Sequence, residues 1–182
     1  KHGTFMGSII SSEKTAAAAG KIGELRRDPM AMLPFCGYNM ADYWQHWVSM
    51  GETAGAKMPK IYYVNWFRKD QEGGIIWPGF GENIRIIEWI LKRVTGKLKA
   101  DMSCVGYVPK LGDINLEGLE KIPDMKTLMS TPAQIWKDEA KELRKYFEEQ
   151  VGTSMPQEIW KQLWMMEQRV IPVSYTHLRA HE

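Results

Sequence analysis

Two neighbouring segments decide how this chain is interpreted: Trp66-Phe67-Arg68-Lys69-Asp70 and Trp77-Pro78-Gly79-Phe80-Gly81-Glu82-Asn83. Their aromatic side chains offer flat apolar faces, and their proline and glycines allow backbone turns that few other residues tolerate. An aromatic ring beside such a turn suits a planar base, because stacking uses the ring face while open backbone amides contact the base edge. The alternative interpretation is a tight turn with core aromatics ahead of a buried helix.

Working outward, periodicity and turn residues predict a mixed α/β chain. β-branched and aromatic residues predict strands over 3–10, 60–67 and 75–77. Capping residues and terminal glycines predict four helices, over 39–51, 83–95, 131–152 and 154–170. The last two helices carry apolar stripes typical of an antiparallel pair, so residues 131–170 are predicted to form a helical end with a structural role.

Composition restricts the possible functions of the chain. A net charge of only +2 argues against general nucleic-acid binding. Cys36 and Cys104 lie far apart and outside any Cys-x-x-Cys pattern, which indicates a reducing, cytoplasmic setting. The sequence has no uninterrupted apolar run of membrane-spanning length and no readable signal peptide, so no membrane association is expected.

Residues 11–24 form an alanine-rich segment with a distinct expected behaviour. Alanines favour helix but bury little surface, and an isolated helix this short is marginal in water. Gly20 and Gly23 add backbone freedom. Such a segment is ordered only when docked, which is how a lid behaves; a plain exposed helix or loop is the alternative.

Several segments together resemble the GTP-dependent phosphoenolpyruvate carboxykinase family. They are Val64–Asp70 and Trp77–Asn83, with Ser12–Ala19, Asp28–Asn39 and, more loosely, Gly106–Lys110. The resemblance runs in order over about residues 1–170, and it implies the C-terminal part of that family's nucleotide-binding domain. Because Lys1 directly precedes a predicted strand, we expect the parent protein to contain an upstream part.

The resemblance implies a guanine site within residues 66–83. The base is expected to stack between Phe67 and Phe80, with Trp66 beside it. Gly81, Glu82 and Asn83 are expected to contact the base edge. Ile75 stands where some members of the family have an aromatic residue, which weakens one contact and makes guanine preference less strict.

The resemblance also implies a lid over substrate and nucleotide, which excludes water and protects a reactive enolate. Its central residues are Lys14, Thr15, Ala16, Ala17, Ala18, Ala19 and Gly20. The implied parent is a monomer that converts oxaloacetate and GTP into phosphoenolpyruvate, GDP and carbon dioxide with Mn²⁺ and Mg²⁺. The sequence contains neither a phosphate-loop motif nor a metal-ligand cluster, so we expect no catalytic residue and no metal ligand in this chain.

The alternative function is a non-catalytic purine-nucleotide or single-strand RNA binding module, in which Arg68, Lys69 and Arg85 would contact phosphates.

Residues 173–182 resemble the translated read-through of a sequencing adapter and are excluded from the fold prediction. His177 and His181 are therefore not offered as metal ligands despite their helical spacing.

Overall fold

The computed structural model describes residues 1–13 and 25–171. They divide into two compact units, which we call unit 1 (Lys1–Ile61 with Lys137–Ile171) and unit 2 (from Tyr62 to Trp136). Both helices and strands are present, which confirms the mixed prediction in part. The described residues are nevertheless mostly helical, because their sheets are two short antiparallel ladders of two strands each.

Unit 1 is built mainly from helices. In chain order its elements are α1 (His2–Ser8), β1 (Ser11–Glu13), β2 (Leu25–Arg27), 3-10 turns at Pro29–Ala31 and Leu33–Phe35, α2 (Met40–Met50), most of α5 (Ala133–Gln150), a 3-10 turn at Gly152–Ser154, and α6 (Gln157–Val170). The Asn39 side chain accepts a hydrogen bond from the Ala41 amide at 2.9 Å, which confirms the predicted cap of α2.

Unit 2 has one long helix and one ladder. Its elements are a 3-10 turn at Phe80–Glu82, α3 (Ile84–Val94), β3 (Asp101–Ser103), β4 (Gly106–Val108) and α4 (Met125–Met129). Lys92 and Arg93 occupy the last turn of α3, and Gly96 beyond it has a φ of 76°. These features confirm the predicted end of this helix. The core of unit 2 is centred on Trp77, Trp89 and Ile114.

The strand predicted over 3–10 is wrong, because residues His2–Ser8 form α1. Thr4, Phe5 and Ser8 are buried, which is the spacing of one helical face and not of a strand. A Cβ on Gly7 would lie 3.3 Å from the Trp47 ring on α2, so glycine permits the close approach of these two helices. Tertiary packing thus overrides the local preference of the β-branched residues.

The strand predicted over 60–67 is also absent as a paired strand. From Tyr62 to Arg68 the side chains alternate between half-buried and exposed, which is the two-residue period of an extended chain. No other strand is hydrogen-bonded to this segment within the described part of the chain. The burial pattern of a strand is therefore present without the ladder that defines one, and Trp66 and Phe67 within it form a turn.

The predicted pair of helices at the end of the chain is confirmed. Arg144 on α5 donates to both carboxylate oxygens of Glu167 on α6 at 2.8 Å, and its guanidinium lies 5.5 Å from the centre of the Trp160 ring. Phe147, one turn after Arg144, contacts Trp160, which lies two turns before Glu167. This order of contacts is that of antiparallel helices.

Aromatic packing forms the core of unit 1. The Phe147 side chain is fully buried and its ring centre lies 5.3–6.5 Å from those of four surrounding rings, which belong to Phe5, Trp44, Tyr146 and Trp160. These separations are those of favourable edge-to-face and tilted pairs. The apolar stripe predicted for α6 is buried in the same unit, at Met155, Ile159, Leu163, Met166 and Val170.

Tyr146 should make the stability of unit 1 depend on pH in the alkaline range. The pKa of its phenol is raised to about 12, chiefly by burial, with the Arg27 guanidinium opposing this shift and the Asp28 carboxylate adding to it. The unfolded phenol loses its proton near pH 10, whereas the folded one holds it to about 12. The free energy of unfolding should therefore fall as pH rises from about 10 to about 12.

Tyr146→Phe provides the matched measurement. Its phenol oxygen is buried and has no hydrogen-bond partner among the described residues. The variant should be as stable as the wild type at pH 7, or up to about 1 kcal/mol more stable. Above pH 10, the free energy of unfolding of the variant should exceed that of the wild type by an increasing amount, as measured by denaturation at each pH. A constant difference across that range would contradict the assignment.

Candidate functional site

The glycine-rich turn has a backbone shape that requires glycine. Gly79 has φ of 128° and ψ of −176°, a region that side-chain-bearing residues rarely adopt. The chain then enters the 3-10 turn Phe80–Glu82 and continues directly into α3 at Ile84. Phe80 follows the glycine and is 91% exposed. The turn thus presents a phenylalanine ring to solvent at the N-terminal end of α3.

A tight hairpin precedes this turn and carries two of the predicted base-contacting residues. The Ile76 amide donates to the Arg68 carbonyl at 2.9 Å, and Lys69 bridges Ile75 in the antiparallel sense. At its tip, the Asp70 carboxylate accepts hydrogen bonds from the amides of residues 72 and 74 at 2.9 and 2.8 Å. The return strand predicted over 75–77 is therefore reduced to a single bridge.

The predicted stacking residues differ in how much of their surface is free. Phe67 is 71% exposed and Ile75 is 55% exposed, so both are available to a ligand. Trp66, by contrast, is half-buried. Its ring centre lies 6.0 Å from that of the buried Trp77. Trp66 therefore packs on the core of unit 2 and supports the surface that carries Phe67.

The polar residues of the turn are held by specific contacts. Asn83 Oδ1 accepts a hydrogen bond from the indole Nε1 of Trp77 at 2.8 Å. Glu82 accepts one from Arg85 Nε at 2.6 Å, and Arg85 also donates to the Asn115 carbonyl at 2.8 Å. Gly81 is exposed, with nothing within 4 Å of the position a Cβ would take. Sequence reasoning identified these residues but not the part that Trp77 plays in holding Asn83.

The contacts of two arginines disfavour the RNA-binding alternative. Arg68 donates to the carbonyls of Leu128 and Ser130 at 2.9 and 2.7 Å, and to the Ser130 hydroxyl at 2.9 Å. Its guanidinium thereby satisfies backbone groups at the C-terminal end of α4. Arg85 is likewise held by Glu82. Two of the three cations predicted to contact phosphates are thus occupied within the fold.

An open groove of about 470 Å³ runs along α3 and begins at the turn that contains Phe80. Its lining combines apolar and charged residues, namely Glu82, Ile84, Arg85, Ile87, Glu88, Leu91 and Asn115. The exposed residues Ile84, Ile87, Leu91 and Val94 follow one another at helical spacing and form an apolar stripe on the surface of α3.

The predicted lid residues, from Lys14 to Gly20, lie outside the described residues, as do His177, His181 and the whole of 173–182. The two ends of the lid segment are joined, because β1 pairs with β2 in the register Ser12 to Arg26. Arg27, the last residue of β2, donates to Glu139 on α5 at 2.7 Å. The ladder is therefore anchored to a helix of unit 1.

A buried carboxylate follows the ladder. Asp28 is almost fully buried, accepts a hydrogen bond from the Leu33 amide at 3.0 Å and lies 2.7 Å from an Arg26 guanidinium nitrogen. These contacts hold the turn that contains Met30, the one residue other than glycine with a positive φ within the described ranges. The structural role of this carboxylate was not predicted from the sequence.

The side chains that could bind a metal ion are scattered across the described part of the chain. No group of three or more His, Cys, Asp and Glu side chains within 1–13 and 25–171 could hold a metal ion. The described residues therefore do not fit the divalent metals of the resembled family. In the same residues, no helix combines the length and apolar character that crossing a membrane requires.

Comparison with known proteins now identifies the family. Residues 1–169 match the family described as the phosphoenolpyruvate carboxykinase C-terminal P-loop domain. The chain is 44% identical over 170 residues to the cytosolic GTP-dependent enzyme of Gallus gallus, and 46% identical over 172 residues to the enzyme of Treponema pallidum. The chain belongs to the GTP-dependent phosphoenolpyruvate carboxykinase family, and the resemblance noted in the sequence is confirmed.

These matches cover nearly all of this chain but only a part of each relative. Each covers 93% of this chain but only 27–28% of the relative, a proportion that also holds for the enzyme of Corynebacterium kroppenstedtii at 43% identity. The chain thus spans little more than a quarter of the length of these curated relatives.

Proposed function

We propose that this chain is the base-binding and lid-bearing part of a GTP-dependent phosphoenolpyruvate carboxykinase, a carboxy-lyase of gluconeogenesis. The parent reaction converts oxaloacetate and GTP into phosphoenolpyruvate, GDP and carbon dioxide. The observation that carries the proposal is the pair of exposed phenylalanines, Phe67 and Phe80, on a hairpin and on a glycine-dependent turn within the family match.

Phe67 and Phe80 would stack on the two faces of the guanine base. Exposed aromatic rings gain most from stacking because a base then covers apolar surface that water otherwise contacts. The exposed Gly81 would let the backbone approach the base edge, and Glu82 and Asn83 supply polar atoms beside it. Ile75 would line the pocket with an aliphatic face in place of a ring.

The lid is proposed for residues 11–24, centred on Lys14 to Gly20. Support comes from its two ends, which meet in the β1–β2 ladder and are tied to α5 through Arg27 and Glu139. A segment fixed at both ends can close over a neighbouring site without displacing the unit that carries it. Closure would exclude water from the enolate formed on decarboxylation.

The catalytic centre would lie in the part of the parent that this chain does not contain. The described residues offer no metal site, and the sequence has no phosphate-loop motif. Mn²⁺ and Mg²⁺ would supply charge neutralisation at the transferring phosphate in the parent. The apolar stripe on α3 supports this division, because an exposed apolar face of this length is a surface that a neighbouring part of a protein ordinarily covers.

Location and partners follow from the family and remain part of the proposal. The relatives from Gallus gallus and Bos taurus are named as cytosolic enzymes, and we propose the cytoplasm for this protein. Its partners would be GTP or GDP and oxaloacetate or phosphoenolpyruvate. We propose a monomeric parent, with no membrane or nucleic-acid partner.

The 182-residue chain alone should show no carboxykinase activity. A chimera in which it replaces the matching region of the Gallus gallus enzyme should form phosphoenolpyruvate with GTP. The assay follows phosphoenolpyruvate with Mn²⁺ present, using the chain, the chimera and a chimera with Phe80→Ala. Turnover by the isolated chain would contradict the proposal that the catalytic centre lies outside it. A folded chimera that binds no GTP would contradict the proposed base site.

Ile75→Phe should strengthen guanine-nucleotide binding. The added ring would offer one more aromatic contact to the base, worth about 0.5–1.5 kcal/mol. GDP binding to the chimera is measured by calorimetry, with Ile122→Phe as a control because that isoleucine is also exposed in unit 2 and lies outside residues 66–83. Equal gains in both variants would show that the effect is not specific to the pocket.

A further inference from the structure

We propose that Trp77 is a positioning residue that sets the preference for guanine over adenine by fixing the amide orientation of Asn83. The inference rests on the proposed function, since it assumes that Asn83 contacts the base edge. The observation behind it is the 2.8 Å hydrogen bond between Trp77 Nε1 and Asn83 Oδ1. Nothing in the sequence motif alone requires this bond.

The chemistry of the indole decides which way the asparagine amide points. An indole N–H can only donate, so its partner on Asn83 must be the carbonyl oxygen and not the amide nitrogen. Trp77 is itself held in place, because it is buried in the core of unit 2 with Trp89 and Ile114 and packs against Trp66. The donor therefore cannot rotate to accommodate the opposite orientation.

The backbone of Asn83 is fixed as well. Asn83 is the first residue before α3, with φ of −60° and ψ of −26°, and its carbonyl accepts hydrogen bonds from the amides of Ile86 and Ile87 at 3.1 and 3.3 Å. Its side-chain nitrogen Nδ2 donates to no residue within the described ranges, and the residue is half-exposed. The bond from Trp77 therefore turns the Asn83 oxygen toward the indole and leaves the side-chain N–H groups as the donors offered to a ligand.

A fixed donor distinguishes the two purines at their six position. Guanine carries an acceptor there, O6, whereas adenine carries an amino group that donates. A free asparagine amide could rotate by half a turn and satisfy either base, but the bond to Trp77 opposes that rotation. Glu82, the other polar side chain of the turn, is held by Arg85, so Asn83 is the side chain of the turn left to distinguish the two purines.

Trp77→Phe tests the inference because it removes the indole N–H while keeping an aromatic ring in the core. The matched control is Trp89→Phe, which removes an indole N–H from the same core, where Trp89 lies 3.4 Å from Asp113 and not near Asn83. Binding of GDP, IDP and ADP to the 182-residue chain is measured by ligand-observed saturation-transfer NMR. IDP shares O6 with GDP but lacks its two-amino group.

The wild-type chain should bind GDP and IDP more tightly than ADP. In Trp77→Phe the ratio of GDP to ADP affinity should fall roughly 3- to 10-fold, the loss of one oriented hydrogen bond, mainly because ADP binds better. Trp89→Phe should keep the wild-type ratio. Asn83→Asp retains an acceptor for Trp77 but removes the donor, and it should also lose the preference.

The outcomes that would contradict the inference can be told apart. An unchanged ratio in Trp77→Phe, or a retained preference in Asn83→Asp, overturns the role of Trp77 while the proposed base site stands. Equal loss of all three nucleotides in both tryptophan variants shows that Trp77 acts through packing alone. IDP binding like ADP assigns the preference to the two-amino group. Failure of the wild type to bind any of the three removes the proposed base site and the inference together.

Discussion

Phe147→Ala should destabilise unit 1 by about 3–5 kcal/mol, the largest effect expected of any single substitution described here. The Phe147 ring is fully buried, with four other aromatic rings around it. Alanine would leave a cavity between α1, α2, α5 and α6, because rings held by several helices cannot all move inward to fill it. Urea denaturation followed by far-ultraviolet circular dichroism measures the change.

Ile135→Ala is the matched control for this substitution. Ile135 lies on the same helix, α5, and is 61% exposed. Its truncation removes little buried surface, so the free energy of unfolding should change by less than about 0.5 kcal/mol. Comparable losses in both variants would mean that α5 contributes through its own helicity, and the aromatic cluster would not be the main source of stability.

Phe80→Ala should weaken binding of guanine nucleotides by about 1–3 kcal/mol through the loss of stacking. Phe80 is almost entirely exposed, so its removal should leave the stability of unit 2 nearly unchanged. GDP and inorganic pyrophosphate are titrated into the chimera by calorimetry. Only GDP should bind more weakly, because pyrophosphate has no base.

The control for Phe80 is Phe35→Ala. Phe35 is 88% exposed in a 3-10 turn of unit 1, so both substitutions remove an exposed ring from the same kind of turn. Phe35→Ala should not alter GDP affinity. Equal weakening of GDP and pyrophosphate by Phe80→Ala would show that the ring does not contact the base.

Sequence reasoning predicted the elements whose signals are local. The cap at Asn39, the cationic last turn of α3 and the apolar stripe of α6 depend on residues a few positions apart, and all three are confirmed. Strand predictions failed where a partner was needed. A strand is defined by hydrogen bonds to another segment, and residues 60–67 contain no information about whether that segment is present.

For the candidate site, the sequence indicated which residues share one surface, but not the contacts that hold them. Aromatic residues and glycines within one short segment identified the surface that carries Phe67 and Phe80. The role of Arg68 could not be predicted, because its partners Leu128 and Ser130 lie about 60 residues further along the chain. The bond from Trp77 to Asn83 spans six residues but depends on the backbone path through Gly79, which spacing alone does not determine.

The shape of the turn at Gly79 has a kinetic consequence. Phe80 stands in a 3-10 turn between a glycine of fixed conformation and α3, so its backbone is already in place before any base arrives. Binding then requires little ordering of the chain, and encounter rates for different bases should be similar. Discrimination among nucleotides should therefore be found in how long each one stays bound, with dissociation rates that differ more than association rates.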